Sequence, residues 1–103
     1  SFFVVLLDVR HRVLALHVVS TGSVDAAVVH PREVFSPAVR EAAVALVVAH
    51  NHPSGDPAPS VEDRAVTERL RDAGSLLGIP VLDHLVVGNE RYYSFAEESF
   101  FPI

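Results

Sequence analysis

Two histidines flank a single asparagine in the stretch AHNHPSGDPAPSVED, residues 49–63, and an aspartate closes that stretch. The apolar run VALVVA before them, residues 44–49, predicts a central strand covered on both faces that ends at His50. In extended backbone, residues i and i+2 lie on the same face, and Pro53 keeps His52 extended, so the two rings should lie side by side. Imidazoles placed in this way can converge on one cation. The spacing therefore predicts a metal site.

Asp63 lies in the first turn of the next predicted element, an amphipathic helix that starts at Ser60 and that Gly78 and Pro80 end. Ser60 and Asp63 have the spacing of a capping box, which by itself explains both residues. With the histidines present, Asp63 also lies where a helix N-terminus faces the end of a central strand, the usual place for sites in α/β sheets. Two nitrogens and one carboxylate leave the fourth position of a tetrahedral zinc open for water, which is a catalytic pattern. His50, His52 and Asp63 are the predicted ligands.

Hydrolysis at such a site needs a general base. The acidic residues upstream of the histidines are Asp8, Asp25, Glu33 and Glu41. Glu41 falls on the outer face of a predicted helix and should be solvated. Glu33 lies at an element boundary, where functional side chains often project. An acidic residue in a first helical turn is also favoured by the helix dipole alone, so the pattern leaves both interpretations of Glu33 open.

The letters H-N-H also invite comparison with nucleases. Metal-dependent nucleases of that type spread their key residues over a hairpin and a helix, tens of residues apart. Here the letters are adjacent, and the net charge is −5, with all eight basic residues being arginines scattered singly along the chain. Nucleic-acid binders usually carry a basic face, because contacts with phosphate supply most of their non-specific affinity. We therefore expect no nucleic-acid binding from this domain alone.

Composition limits the remaining classes. A chain of 103 residues forms one domain, and the lack of cysteine removes disulfides and thiolate metal sites. The longest apolar runs fall far short of the ~20 residues of a membrane span, and no secretion leader opens the chain. These features predict a soluble, cytoplasmic domain that does not bind membranes. The chain starts with serine and has no methionine, which predicts a domain cut from a longer protein.

The predicted elements alternate after residue 24, which favours an α/β sandwich with a mixed sheet. Residues 2–20 predict a hairpin, 25–29 a short strand, 81–88 a strand and 91–95 a last strand. Pro31 suits a first helical turn, whereas Pro37 should kink that helix or split it. The second helix carries apolar residues at 61, 65, 66, 70, 73, 76 and 77. The terminal FFPI suits core and edge packing, although an exposed Phe100–Phe101 tail would also suit contact between copies in a homo-oligomer.

The run H-N-H-P-S-G-D-P-x-P-S-x-x-D, with VHPREVF upstream and GIPVLDHLVVG downstream, resembles the RadC family of bacterial proteins. That family belongs to the JAMM (MPN+) metalloprotease group. The group's pattern is a glutamate, then His-x-His, seven residues, Ser, two residues and Asp, which Glu33, His50, His52, Ser60 and Asp63 match. The resemblance covers essentially the whole chain. It implies a three-layer α/β/α, cytidine-deaminase-like fold over residues 1–103, usually preceded by a helical N-terminal region.

The resemblance further implies a zinc-dependent peptidase or isopeptidase that acts on a peptide or protein substrate. One Zn²⁺ would be held by His50, His52 and Asp63, with Glu33 as the catalytic base and Ser60 as donor to the oxyanion. It extends to His84, next to Asp83, where these residues would orient a ligand or the substrate; a hydrogen-bonded structural histidine is the open alternative. The alternative hypothesis is a DNA repair-associated or protein-interaction module whose metal site does not catalyse peptide hydrolysis.

Overall fold

The structure is a computed structural model that describes residues 1–20 and 29–103. Its elements follow in the order β1 (Phe2–Leu7), β2 (Val13–Ser20), α1 (Pro31–Arg40), β3 (Ala45–Asn51), α2 (Val61–Leu77), β4 (Val81–Val87), β5 (Arg91–Ser94) and β6 (Ser99–Pro102). The predicted hairpin is β1 and β2. The short strand predicted at residues 25–29 falls outside the described residues, except for Val29, which belongs to no strand.

All six strands form one mixed sheet in the order β2-β1-β3-β4-β5-β6. Strands β3 and β4 pair in parallel because α2 carries the chain back between them, and the other neighbours are antiparallel. The predicted α/β class with a mixed sheet is therefore confirmed. The parallel pair matters for function, because it places the carboxyl end of β3 beside that of β4 and under the start of α2.

Both helices pack on the same face of the sheet and share one core. Alternate residues of β1 and β3, such as Val4 and Leu46, are fully buried against Phe35 of α1 and Leu70 of α2. On the other face of β3, Val47 is only half-buried, so this strand is less fully covered than predicted. The described residues thus supply two of the three layers expected, one of helices and one of strands.

Helix α1 begins at Pro31, as predicted, and continues through Pro37 to Arg40. The alternative of two separate elements is therefore wrong. Pro37 cannot donate the helical hydrogen bond to the carbonyl of Glu33, but only that one bond is lost. Burial of Val34 and Phe35 against the sheet holds the helix together.

Helix α2 has the predicted ends but not the predicted buried face. Ser60 caps its start, and Gly78 ends it in the left-handed conformation at φ +71°. Val61 and Leu76, which were expected in the apolar stripe, are 80% and 89% exposed. The buried residues of α2 are Asp63, Val66, Thr67, Leu70 and Gly74. The helix is turned so that its first two turns present polar side chains to the sheet. Within the described residues, no helix combines the length and apolar character that a membrane crossing requires.

The last residues form a strand that the sequence analysis did not predict. Strand β6 pairs with β5 at the edge of the sheet, and Phe101 stacks on Tyr92 with ring centroids 5.6 Å apart. Packing at the sheet edge was the expected role of this aromatic segment. The segment forms a strand only by pairing with β5, and the periodicity of so short a run does not indicate that pairing.

Candidate metal centre

The three predicted ligands meet at the carboxyl end of β3. His50 lies within β3, His52 follows it, and Asp63 lies in the first turn of α2. The side chains of His50 and Asp63 are only 5% and 2% exposed, whereas that of His52 is 19% exposed. The site is therefore closed on the core side and open on the side of His52.

The two rings clasp the carboxylate of Asp63. His50 Nε2 lies 2.9 Å from Oδ1, and His52 Nε2 lies 2.8 Å from Oδ2. The ring centroids of the histidines are 5.1 Å apart. One candidate ligand atom from each of the three residues lies within 4.8 Å of the others. The convergence expected from the i, i+2 spacing and from Pro53 is present in the structure.

The capping box and the metal-site geometry occur together in one side chain. The hydroxyl of Ser60 accepts a hydrogen bond from the N–H of Asp63 at 3.0 Å, and Asp63 Oδ2 accepts one from the N–H of Ser60 at 2.8 Å. The cap thus fixes the rotamer that brings the carboxylate to the histidines. The two interpretations of this pair at the sequence level do not exclude each other.

Asp63 is ionised in this environment. Burial by itself would raise the pKa of its carboxyl group, but the hydrogen bond and charge of His50 and the backbone N–H of Ser60 oppose it more strongly. The resulting pKa lies well below the ordinary value of 3.8. A buried anion that faces two ring nitrogens is an electrostatic setting that attracts a cation.

The ring nitrogens that face away from Asp63, Nδ1 in both histidines, have partners of their own. His52 Nδ1 lies 2.9 Å from the backbone carbonyl of Asp56, so that nitrogen must donate. His50 Nδ1 lies 2.9 Å from His84 Nε2. A neutral ring with a proton on Nδ1 carries its lone pair on Nε2, which in both histidines is the atom that faces Asp63. The Asp56 carbonyl thus prepares His52 Nε2 for a metal, and the corresponding role of His50 Nε2 depends on the proton of His84.

The proline-rich loop positions the Asp56 carbonyl. The N–H of Gly55 donates to the carbonyl of His52 at 2.9 Å, and the carbonyl of Gly55 accepts from the N–H of Asn89 in the β4–β5 turn, also at 2.9 Å. Asp56 Oδ1 accepts from the N–H of Ala58. These bonds tie the loop to the sheet, so the residues between the histidines and α2 form an ordered support for His52.

Sequence reasoning missed Thr67, which contacts both His84 and the backbone of Asp63. Its hydroxyl donates to the carbonyl of Asp63 at 2.8 Å and hydrogen-bonds His84 Nδ1. Burial, the main cause, lowers the pKa of His84 to about 3, so its ring is neutral at pH 7. The available signal was the i, i+4 spacing from Asp63, which places Thr67 on the same helix face.

Asp83 lies next to His84 in sequence but faces a different group of residues. Its carboxylate accepts hydrogen bonds from the N–H of His84 and of Ala96 and from the hydroxyl of Ser94. These contacts hold the end of β5 against β4. The structure thus brings His84 to the ligand His50 and turns Asp83 towards β5.

Glu33 lies in the first turn of α1 and is exposed. The N–H of Val44, just after α1, bonds the carbonyl of Leu7, whereas His50 pairs with Phe2 at the other end of β1. The end of α1 therefore lies near the start of β3, and the start of α1 lies towards the end of β3 that carries His50. There Glu33 lines an open groove between α1 and β2 with His17 and Arg32. Among the described residues, the metal cluster comprises His50, His52 and Asp63 without Glu33. Its role as a base stays a prediction.

The donor set fits a divalent cation. Two imidazole nitrogens and one carboxylate oxygen suit zinc and related first-row metals, and the chain has no thiolate to offer. Bound to a metal, both rings would be neutral and the carboxylate ionised, so each residue would offer the ion a lone pair. The His-His-Asp group can therefore hold a metal ion.

Comparison with known proteins agrees with this arrangement. A sequence model of the family described as RadC-like JAB domain matches residues 1–100. A UPF0758 protein of Trichlorobacter lovleyi is 55% identical over 96 residues, which cover 93% of this chain and 42% of that protein. Another, from Geobacter sulfurreducens, is 54% identical over 94 residues, covering 91% and 41%. A third, from Methanosarcina mazei, is 50% identical over 100 residues, covering 97% and 44%. The chain spans less than half the length of these relatives.

Proposed function

The chain belongs to the RadC-like JAB domain family, and from this premise we propose that it is a zinc-dependent hydrolase of peptide or isopeptide bonds. The observation that carries the proposal is the convergence of His50 Nε2 and His52 Nε2 on the Asp63 carboxylate, at 2.9 and 2.8 Å. The JAB family includes metalloproteases, and an N₂O ligand set with one open side is the arrangement of catalytic rather than structural zinc.

His50, His52 and Asp63 would hold the metal. A bound zinc ion supplies Lewis acidity and makes water a nucleophile at neutral pH. The protein contributes rigidity. His50 lies in a central strand and stacks on Phe2 with centroids 5.5 Å apart, while Asp63 is locked by the capping box. In our proposal, a substrate and a water molecule approach from the partly exposed side of His52.

Ser60 is suited to donate a hydrogen bond at the site. Its oxygen already accepts from the N–H of Asp63, so the hydroxyl proton remains available. Ser60 is partly exposed at the N-terminus of α2, whose dipole favours negative charge. In our proposal, this hydroxyl stabilises the oxyanion that develops when the scissile carbonyl is attacked.

Glu33 is proposed as the general base. It would take a proton from the attacking water and deliver it to the leaving amine, which is typically worth about 10² to 10⁴ in rate. Its exposed position at the start of α1, towards the end of β3 that carries His50, supports this assignment.

Metal analysis combined with a substitution at Glu33 tests the proposal. We expect the wild-type protein, purified without chelators, to contain zinc near one equivalent and to cleave members of a panel of fluorogenic peptide and isopeptide substrates. Glu33→Gln should keep the zinc and lose at least ~10² of the rate. Glu41→Gln is the matched control, because Glu41 lies just after the other end of α1, where its carboxylate pairs with His17 and glutamine can keep that hydrogen bond.

Two results would contradict parts of the proposal. A wild-type protein that neither contains nor takes up zinc would remove the metal site. A zinc-loaded Glu33→Gln variant as active as the wild type would remove Glu33 as base but leave the ligand set intact.

A further inference from the structure

We propose that Thr67 and His84 act as a positioning pair that fixes the tautomer of His50 and thereby makes His50 Nε2 the ligand atom. This inference rests on the metal site proposed above. The pair lies behind the ligands and would contact neither metal nor substrate. Its function would be to make Nδ1 of His50, the nitrogen that faces away from Asp63, a hydrogen-bond donor.

The four residues involved are withdrawn from water. His84 is 0% exposed, Thr67 and Asp63 are each 2% exposed, and His50 is 4% exposed. At such burial, each ring nitrogen and hydroxyl must find its partner within the protein. The positions of the protons can therefore be deduced by following the hydrogen bonds.

Thr67 starts the sequence of bonds. A hydroxyl has one proton, and Thr67 uses it on the backbone carbonyl of Asp63, 2.8 Å away. With that proton on the carbonyl, the same oxygen accepts from His84 Nδ1, and we infer that His84 carries its proton there. The neutral His84 ring then has its lone pair on Nε2.

His84 passes the constraint on to His50. Its Nε2 lies 2.9 Å from His50 Nδ1 and, lacking a proton, can only accept, so His50 Nδ1 must donate. The nitrogen of His50 that remains for a cation is Nε2, which faces Asp63 Oδ1. The bonds run from Asp63 through Thr67, His84 and His50 back to Asp63 and close a ring across α2, β4 and β3.

Stacking holds the planes of the two rings so that these bonds keep their direction. His84 stacks on Phe95 with centroids 4.9 Å apart and an interplanar angle of 17°. His50 stacks on Phe2 at 5.5 Å and 18°. A ring held in plane by an aromatic neighbour cannot readily rotate to exchange its nitrogens.

Thr67→Val tests the pair, because valine keeps the volume and removes the hydroxyl. Without an acceptor at Nδ1, His84 can place its proton on Nε2, against the donor of His50. We expect zinc affinity, measured by competition with a chromophoric chelator, to fall by about 10- to 100-fold, as for other residues that support a metal ligand. Thr67→Ser restores the hydroxyl and should restore the affinity.

Ser94→Ala is the matched control. Ser94 is also a buried hydroxyl, 2% exposed, but it bonds Asp83 and not the His50–His84 pair. Its zinc affinity should stay close to that of the wild type. An equal loss of affinity in Ser94→Ala and Thr67→Val would attribute the effect to general loosening and overturn the inference.

Ring-nitrogen NMR of the wild type, with and without zinc, supplies a readout that a purely structural role would not determine. We expect His84 to be protonated on Nδ1 and not on Nε2 in both forms. A proton on His84 Nε2 would overturn the inference even if Thr67→Val failed to fold. If the wild type bound no zinc, the proposed function would fail, and these spectra would still decide the tautomer. If the wild type bound zinc and Thr67→Val bound it equally well, only the positioning pair would fail.

Discussion

Removing the most exposed ligand should separate metal binding from folding. His52→Ala deletes one of the three donors, and the ring is partly exposed, so the core is little disturbed. In the metal-free protein, Asp63 Oδ2 loses the bond to His52 but keeps the one from the N–H of Ser60. The loss of this hydrogen bond to a charged group costs roughly 1.5 kcal/mol, and the second bond that is lost, from Nδ1 to the Asp56 carbonyl, is solvent-exposed and can be replaced by water. For a chain of 103 residues this lowers Tm by about 7 °C.

The larger expected effect is on the rise in Tm that zinc binding produces. Free zinc at 100 times its Kd stabilises a folded protein by about 2.7 kcal/mol, which for this chain length raises the wild-type Tm by about 12 °C. We expect His52→Ala to lose most of that increase, because two donors remain. The assay is thermal unfolding at pH 7.5, followed by circular dichroism, in chelator and in buffered zinc at the same free concentration for each protein.

His11→Asn is the control for the loss of a histidine. His11 is exposed in the β1–β2 turn at φ +58°, a conformation that asparagine tolerates. It should show the full zinc-induced rise in Tm. The ligand assignment is refuted if His52→Ala retains the wild-type rise, or if the wild type shows none while holding zinc.

Three further predictions concern the support of the site. His84 is neutral in the folded protein but has a pKa of about 6.5 when unfolded, so protonation of the unfolded chain destabilises the fold as the pH falls. In chelator, the wild type should therefore lose roughly 2 to 3 kcal/mol more unfolding free energy than His84→Gln between pH 7 and pH 4.5. Urea unfolding at both pH values measures this difference, and parallel pH dependences of the two proteins would contradict it. Gly88→Ala should destabilise the fold more than Gly78→Ala, because a Cβ at Gly88 would lie 2.6 Å from the backbone carbonyl oxygen of Gly55, whereas nothing lies within 4 Å of one at Gly78, where only the positive φ opposes alanine; similar urea midpoints for the two variants would show that the loop moves aside. Ser60→Ala should lower the free energy of unfolding by about 1 kcal/mol through loss of the helix cap and should also reduce hydrolysis; unchanged turnover by the zinc-loaded variant would limit Ser60 to capping.

Much of the fold was predictable because its signals are local. Helix α2 starts and ends where Ser60 and Gly78 place it, since capping depends on residues three or four positions apart. Its buried face was not predictable from apolar periodicity, because that pattern does not count polar residues as buried. Asp63 and Thr67 face inwards, and Val61 faces solvent.

Long-range pairing decided other features. Strand β6 depends on β5 for its hydrogen bonds, so a short aromatic segment gave no separate signal. Pro37 was expected to kink or split α1, and the helix is not split, because the packing of Val34 and Phe35 outweighs the loss of one helical bond. In both cases a tertiary contact overrides a local preference.

The sequence by itself determined the types of the candidate metal-binding side chains and their convergence. His50 and His52 share a face because extended backbone has a period of two, and Ser60 holds Asp63 because a helix start has unpaired N–H groups. Only the tertiary structure decided which residues surround His50 Nδ1. His84 lies 34 residues from His50 and 17 from Thr67, and no local backbone rule acts over such separations. These residues meet because β3 and β4 pair in parallel with α2 packed across them.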